Sequence, residues 1–235
     1  MPKIERLPGI IVFAGLNGSG KSTVTRIAKV VQPYINADDI KTALNCSDLE
    51  AAQVAEKMRN AQVDAGEGFT FETVLSTSRN LELLKRAKAK CFFIRCIYIL
   101  TASPDINVIR VKAREAAGGH GVPEDKVCSR YERALALIPE LVSVCDICHI
   151  YDNSERPFRI FKKRKERCYF FKKCFLAQTR YYCPYKGQRH SPVSFSVKSI
   201  HMHINPQAAA HQHVAACFSY MFSLSVAQKR SRSFP

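Results

Sequence analysis

Two rhythms of apolar and polar positions run along the chain. Ile10 to Ala14 is an unbroken apolar run, as a buried parallel strand reads. Val24 to Val31 continues with helical spacing, and Pro33 stands just beyond as a stop. Tyr34-Ile35-Asn36 is a short second strand. Ser47 to Ala65 reads as a long helix, with Glu50 placed for a capping box on Ser47 and with Val54, Met58, Ala61 and Ala65 on its apolar face. Phe69 to Ser76 is a third strand, and Asn80 to Lys90 a basic helix whose charges face water. Phe92 to Leu100 is a fourth strand, apolar except for Arg95. Pro104 and Asp105 open a helix through Arg114. Gly118 to Pro123 interrupts the pattern, helix resumes over Glu124 to Leu137, and Ile147 to Tyr151 is a fifth strand closed by the turn signal Asp152-Asn153-Ser154. Strands alternating with helices predict an α/β fold whose central, mostly parallel, five-stranded sheet is flanked by helices.

The first strand leads into Gly15-Leu16-Asn17-Gly18-Ser19-Gly20-Lys21-Ser22-Thr23, which fits G-x-x-x-x-G-K-[ST], the phosphate-binding P-loop. Strand, glycine loop and helix follow one another as a P-loop NTPase fold requires. Glycines let backbone N–H groups close on phosphates, and a helix N-terminus adds positive dipole. Gly15, Asn17, Gly18, Ser19, Gly20, Lys21, Ser22 and Thr23 are the expected ATP cradle. Lys21 is expected at the β- and γ-phosphates, and the Ser22 hydroxyl as a ligand to Mg2+.

Further candidates stand at the carboxyl ends of strands, where open α/β sheets gather functional groups. Asp38 and Asp39 follow the second strand as general base, Mg2+ partner, or N-cap of a helix over Ile40 to Leu44. The base reading suits Asp38 better and the cap reading Asp39. Glu72, in the third strand, reads either as a group for a substrate hydroxyl or a metal-bound water, or as an exposed strand-face glutamate. Arg59 has the same two options, cleft or solvent. Arg110 and Arg114 share a helix face. The glycines at 118, 119 and 121 make a lid with a stiff end at Pro123, and Arg130 and Arg133 lie beyond it. Arginines on both sides of a hinge suit a clamp on a transferring phosphoryl group, or else pair with surface acids.

Composition adds limits. The 235 residues suffice for one ordinary domain and an extension, here read as 1–160 and 161–235. The net charge of +16 would suggest nucleic acid, but it is unevenly placed. Residues 1–160 carry 22 Lys+Arg against 19 Asp+Glu, while 161–235 carry 14 against 1. The ten cysteines are too sparse for a disulfide scaffold, and the six before residue 160 read as buried free thiols. Cys145-Asp146-Ile147-Cys148-His149 matches the C-x-x-C-H haem pattern, but it lies in a core strand and no export signal precedes the P-loop. Val214 to Ala227 is too short to span a bilayer. A cytoplasmic location is the expectation.

With these pieces in place, residues 1 to about 160 resemble the zeta toxin family of P-loop kinases, in its compact, chromosomally encoded form. The segments that carry the likeness are GLNGSGKST, INADDI, FETVLS, VIRVKAREAAGGHGVPEDKVCSRYERAL and YDNS. The resemblance implies ATP- and Mg2+-dependent phosphorylation of a sugar nucleotide, with UDP-N-acetylglucosamine the known substrate class and a protein antitoxin a possible partner. It makes Asp38 the general base, Glu72 a substrate contact and Arg114 the first phosphate-clamping arginine. His120, Arg130 and Arg133 compete for the second clamp. Val74 stands where plasmid toxins carry a substrate-binding threonine, with Thr73 beside it. Two other readings remain: a P-loop phosphotransferase for another hydroxylated metabolite or antibiotic, and a nucleotide-dependent nucleic-acid-binding protein that uses the basic tail.

From about Arg167 the chain changes character. Residues 167–235 contain no acid and hold five of the seven histidines and four of the ten cysteines. No strand or helix period is sustained there. The leading reading is a tail translated out of frame, ahead of a disordered basic extension. A nucleic-acid or metal module built on His201, His203, His211 and His213 comes last.

Overall fold

The first strand, β1 (Gly9–Gly15), is buried along nearly its whole length and becomes the centre of the sheet. The computed structural model describes residues 7–165, 167–171 and 200–203. Along it follow α1 (Lys21–Thr25), β2 (Tyr34–Ile35), α2 (Ala37–Leu44), α3 (Asp48–Ala65), β3 (Phe69–Thr73) and α4 (Arg79–Ala89). Then come β4 (Phe93–Leu100), α5 (Pro104–Ala116), α6 (Glu124–Ala136), α7 (Ile138–Val144) and β5 (Ile147–Asp152), and three further strands, β6 (Phe158–Arg164), β7 (Arg167–Phe170) and β8 (Ile200–His203).

The sheet order among the described residues is β2-β3-β1-β4-β5-β6-β7-β8. The first five of these strands are mutually parallel, as the alternation of elements predicts. β3 and β4 flank β1, so the carboxyl ends of all three converge on the loop after Gly15. Ile10, Val12, Phe69, Phe71, Ile94, Tyr98 and Ile150 fill the core between sheet and helices.

The structure departs from the expected elements in four places. Helix α1 ends at Thr25 rather than near Val31. It buries no residue, and Ile27 is 85% exposed, so no apolar face holds another turn in place. The hydrogen bonds tighten there to Ile27 N–H on the Val24 carbonyl and Ala28 N–H on that of Thr25, after which the helix stops. In α3 the capping box of Ser47 and Glu50 forms as expected. The buried stripe, however, is Ala51, Ala55, Arg59 and Val63, and none of the expected Val54, Met58, Ala61 and Ala65 is in it. Two alanines bring this helix close to the sheet, and Met58 turns out to solvent. Helix α7 is an addition to the expected elements: seven residues between α6 and β5, too short to show a helical period, with Pro139 in its first turn.

The fourth departure is in the basic extension. β6 runs across residue 160, pairs antiparallel with β5, and buries Phe161 completely. β7 then forms where no period was expected and buries Cys168. A free sheet edge supplies the hydrogen bonds that the local sequence pattern does not advertise. His201 and His203 lie on β8. His211, His213 and the apolar stretch from Val214 lie outside the described residues, as does nearly all of the segment read as out of frame.

No helix among the described residues is long and apolar enough to cross a membrane. Of the six cysteines before residue 160, Cys96, Cys145 and Cys148 are buried, Cys46 and Cys128 are half-buried, and Cys91 is exposed. The two thiols of the C-x-x-C-H match therefore face the core, next to Cys96 of the neighbouring strand.

Candidate functional site

The P-loop forms between β1 and α1 with Gly15, Gly18 and Gly20 at positive φ. Gly15 sits so close to β4 that a Cβ would lie 2.2 Å from the carbonyl oxygen of Ile99, which only glycine tolerates. Leu16 is buried against Tyr131 and Ala134 of α6, which anchors the loop from outside. Ser19 is fully buried, and its hydroxyl has no partner among the described residues. The Lys21 ammonium group donates to the Leu16 carbonyl at 3.0 Å, so it folds back over its own loop. Burial pushes Lys21 down to about 8, against the pull of Glu72 and Asp38 and with the push of Arg114 and Arg130. Lys21 of α1, Asp38 of α2, Glu72 of β3, Arg114 of α5 and Arg130 of α6, expected to act together, thus come from five separate elements.

The acids come from α2 and from β3, the strand beside β1. The N-cap of α2 is Asn36, whose side chain accepts from the Asp38 N–H at 3.1 Å. Neither aspartate is therefore the cap; both carboxylates lie in the first turn. Asp39 is held above its usual range by burial first, then by Glu72 and Asp38. Glu72 points to the P-loop side of β3, where its Oε1 accepts from Thr25 Oγ1 at 2.5 Å and from the Tyr34 hydroxyl at 2.7 Å. It is thus a fixed, hydrogen-bonded carboxylate rather than a loose surface one. Thr73, next along the strand, faces away from Glu72. Its hydroxyl accepts from the Leu75 N–H at 2.9 Å and from Asn80 Nδ2 at 2.8 Å. Val74 packs against the Leu16–Tyr131 cluster.

The lid side sorts the arginines. Arg110 donates to the carbonyls of Asn153 and Ser154 at 2.8 and 2.9 Å and is a brace between α5 and the end of β5. Arg114 reaches its own lid, donating from Nε and Nη2 to the His120 carbonyl at 3.1 and 2.6 Å. His120 also acts on Asp48, at the start of α3, although Lys41 is the larger influence there. Arg130 donates to Asn17 Oδ1 in the P-loop at 3.2 Å. Arg133 turns back along α6 to the Ser129 carbonyl at 3.1 Å and stays away from the loop.

Asn153 is a site residue that the sequence pattern presents only as part of a turn. Its Nδ2 donates to the Ser19 carbonyl at 2.8 Å, tying the end of β5 to the P-loop. The same atom lies 2.5 Å from where a Cβ on Gly20 would be, so this glycine is fixed by Asn153. Tyr34 and Thr25, which hold Glu72, were equally unmarked. Each is an ordinary strand or helix residue until the fold sets it beside a carboxylate.

The residues present fit a nucleotide triphosphate. A buried, unpartnered Ser19 hydroxyl, a loop of positive-φ glycines and a lysine turned inward are what a phosphate chain would satisfy. No group of three or more His, Cys, Asp or Glu side chains is set to hold a metal among the described residues. Mg2+ bound with a nucleotide keeps waters and takes phosphate oxygens, so it needs few protein ligands. The exposed Ser22 hydroxyl is the ligand available at the loop.

No family model matches this chain. Among solved structures it is similar to AvrRxo1-ORF1:AvrRxo1-ORF2 with sulphate ions, with a TM-score of 0.54 at 13% identity, over 66% of this chain and 58% of the other. The same complex with ATP gives 0.53 at 13%, with the same coverage. The chain thus spans little more than half the length of this neighbour, and the likeness establishes the P-loop fold. The PezAT chromosomal toxin–antitoxin system of Streptococcus pneumoniae is matched more loosely, with a TM-score of 0.48 at 15% identity, over 68% of this chain and 73% of that one. In sequence, an uncharacterized protein of Haemophilus influenzae is 34% identical over 127 residues, which are 52% of this chain and 91% of that protein. On that identity and coverage, the chain belongs to the same family as the Haemophilus influenzae protein.

Proposed function

We propose that this chain is an ATP-dependent kinase that transfers the γ-phosphoryl group to a hydroxyl of a sugar nucleotide, with UDP-N-acetylglucosamine as the first acceptor to try. One observation carries the reading: around a formed P-loop, Lys21 folds over the loop, Arg130 donates to Asn17 within it, and Glu72 is held by Thr25 at the end of the helix that follows. Base, lysine and two arginines around a P-loop are the parts phosphoryl transfer needs, since positioning and charge stabilisation supply most of the catalysis.

In this reading the P-loop and Lys21 hold the phosphates. Asp38 accepts the proton of the attacking acceptor hydroxyl, whose oxygen bonds to the γ-phosphorus as the bond to the β–γ bridging oxygen breaks and ADP departs. Arg130, at Asn17, and Arg114, at the lid, stabilise the charge on the transferred group. Glu72 holds an acceptor hydroxyl, and His120 lies on the lid over the acceptor. Mg2+, held through Ser22, supplies charge neutralisation at the phosphates. The kinase unit comprises residues 1–160, with 161–235 as an extension whose first strands join its sheet. The resemblance adds a protein antitoxin as a possible partner, and the composition adds a cytoplasmic site of action. The fold neighbour was itself solved as an ORF1:ORF2 complex, which supports a search for a partner chain.

A second acceptor class is favoured by Thr73 and Val74. The Thr73 hydroxyl accepts two hydrogen bonds and Val74 is packed in an apolar cluster. Neither supports the threonine contact of the plasmid toxins, which favours another hydroxylated metabolite. The test is phosphoryl transfer from ATP–Mg2+ to UDP-N-acetylglucosamine, followed by mass spectrometry, beside Lys21→Ala and Asp38→Asn. A product 80 Da heavier that vanishes in both variants supports the reading. ATP binding that depends on Lys21, without product, moves the acceptor to the second class.

A further inference from the structure

Helices α3 and α4 lie side by side on the sheet, and a groove of about 710 Å3 opens between them. Its floor holds Arg59. This residue is 9% exposed, yet no ion pair is formed by its guanidinium among the described residues, and its buried Nε has no hydrogen-bond partner there. The guanidinium lies over the Phe71 ring, 5.3 Å from the centroid. Burial lowers its pKa, and Glu56 offsets this only in part. A charge held in that position without an acceptor is costly unless something brings one.

The end of the groove is the start of α4. Ser78 is the N-cap residue and makes no side-chain capping bond, so the first N–H groups of this eleven-residue helix are left for another acceptor. Arg79 and Arg86 stand on the rim. Arg79 meets Glu56 at only 3.5 Å and is 75% exposed, while Arg86 donates to Asn60 at 2.7 Å and stays 3.8 Å from Asp64. Lys85 is paired with Glu82 at 3.0 Å and Glu140 at 2.6 Å, so among the described residues Arg59 is the lining cation that no carboxylate meets. Its planar fork suits a phosphate oxygen pair.

We propose that this groove is an anion site, in which a phosphate or diphosphate group binds between the Arg59 guanidinium and the first turn of α4. It is distinct from the P-loop and stands whether or not the kinase reading does. An entering anion takes Arg79 away from Glu56. The groove also touches the transfer site by one link: Asn80, on its wall, donates to Thr73, the neighbour of Glu72. The bound phosphate therefore belongs either to the acceptor or to a separate phosphorylated ligand.

The test is calorimetric titration of the full chain with inorganic pyrophosphate at low salt, with the P-loop blocked by a saturating non-hydrolysable ATP analogue. One remaining site is expected. Arg59→Lys keeps the charge but loses the fork, and is expected to weaken this site about tenfold. Glu56→Gln, at a half-exposed carboxylate, is expected to tighten it severalfold by releasing Arg79. The second variant decides the matter even if the first fails to fold. No site beside the blocked P-loop, or an affinity unmoved by Glu56→Gln, overturns the proposal. Displacement of pyrophosphate by UDP-N-acetylglucosamine assigns the site to the acceptor; retention of pyrophosphate assigns it to a separate phosphorylated ligand.

Discussion

Arg130 of α6 donates to Asn17 of the P-loop at 3.2 Å, joining residues 113 positions apart. With Leu16 buried against Tyr131 and Ala134, α6 meets the phosphate loop through both an apolar and a polar contact. The lid leads directly into this helix. A group that orders the lid therefore acts on an element already fastened to the P-loop.

Arg130 and Arg133 differ by less than one turn of helix, yet only one is expected to matter. Arg130→Ala should lower kcat by roughly 10²–10³, as expected for a donor aimed at transition-state charge. Arg133→Ala should leave the rate close to that of the unchanged protein, because its guanidinium turns to Ser129. Steady-state transfer assays on the two variants make the comparison, with ATP affinity measured alongside.

What the sequence discloses depends on how local the cause is. The P-loop is legible because nine adjacent residues carry it, and the strand before it is a plain apolar run. The five parallel strands follow from the alternation of elements in the same way. Asn36 escaped notice as the cap because two aspartates beside it are equally good cap residues. The α3 stripe was misphased because Arg59, a charged residue, takes a core position over Phe71, and hydrophobic periodicity gives no sign of that. Asn153 reads as a turn residue, and its contact with the P-loop leaves no local sign. Its partner, the Ser19 carbonyl, is 134 positions away and comes within reach only when β5 aligns beside β4.

Lys21 predicts two opposite pH dependences. Its folded pKa of about 8 lies below its ordinary 10.5. Between those values the unfolded chain holds more protons, so stability rises with pH through that window. Lys21→Met should therefore stabilise the ligand-free protein by about 3 kcal/mol at pH 7, a gain that fades toward pH 10. ATP affinity should move the other way and fall as pH rises above 8, where the free amine loses its proton. Urea unfolding and ATP titration at several pH values read the two trends separately.

Asn153→Ala tests the tie between β5 and the loop. Removing Nδ2 leaves the Ser19 carbonyl without this donor, at a cost of about 1–2 kcal/mol in stability. ATP should bind about tenfold more weakly, because the loop loses a support that does not itself touch the nucleotide. Gly20→Ala should be rescued in part by Asn153→Ala, since the clash at 2.5 Å involves that side chain. Thermal melts of the two single variants and the double variant, with ATP titration, show whether the effects interact.

The acidic wall separates a working carboxylate from one that only crowds it. Asp38→Asn should reduce kcat by about 10²–10⁴ with ATP affinity retained, the range for loss of a positioned base. Asp39→Asn should change kcat little and should raise stability at neutral pH. The sign follows from its raised pKa: the unfolded chain gives up this proton more readily, so stability falls as pH climbs through the window from 3.8 to the raised value. Glu72→Gln removes the larger of the two like charges acting on Asp39 while its amide oxygen still accepts from Thr25 and Tyr34. Carboxyl-carbon NMR titration should then find Asp39 closer to its usual range. If Asp39 does not move, Glu72 does not stand beside it, and the proposal that Glu72 holds an acceptor hydroxyl fails with it.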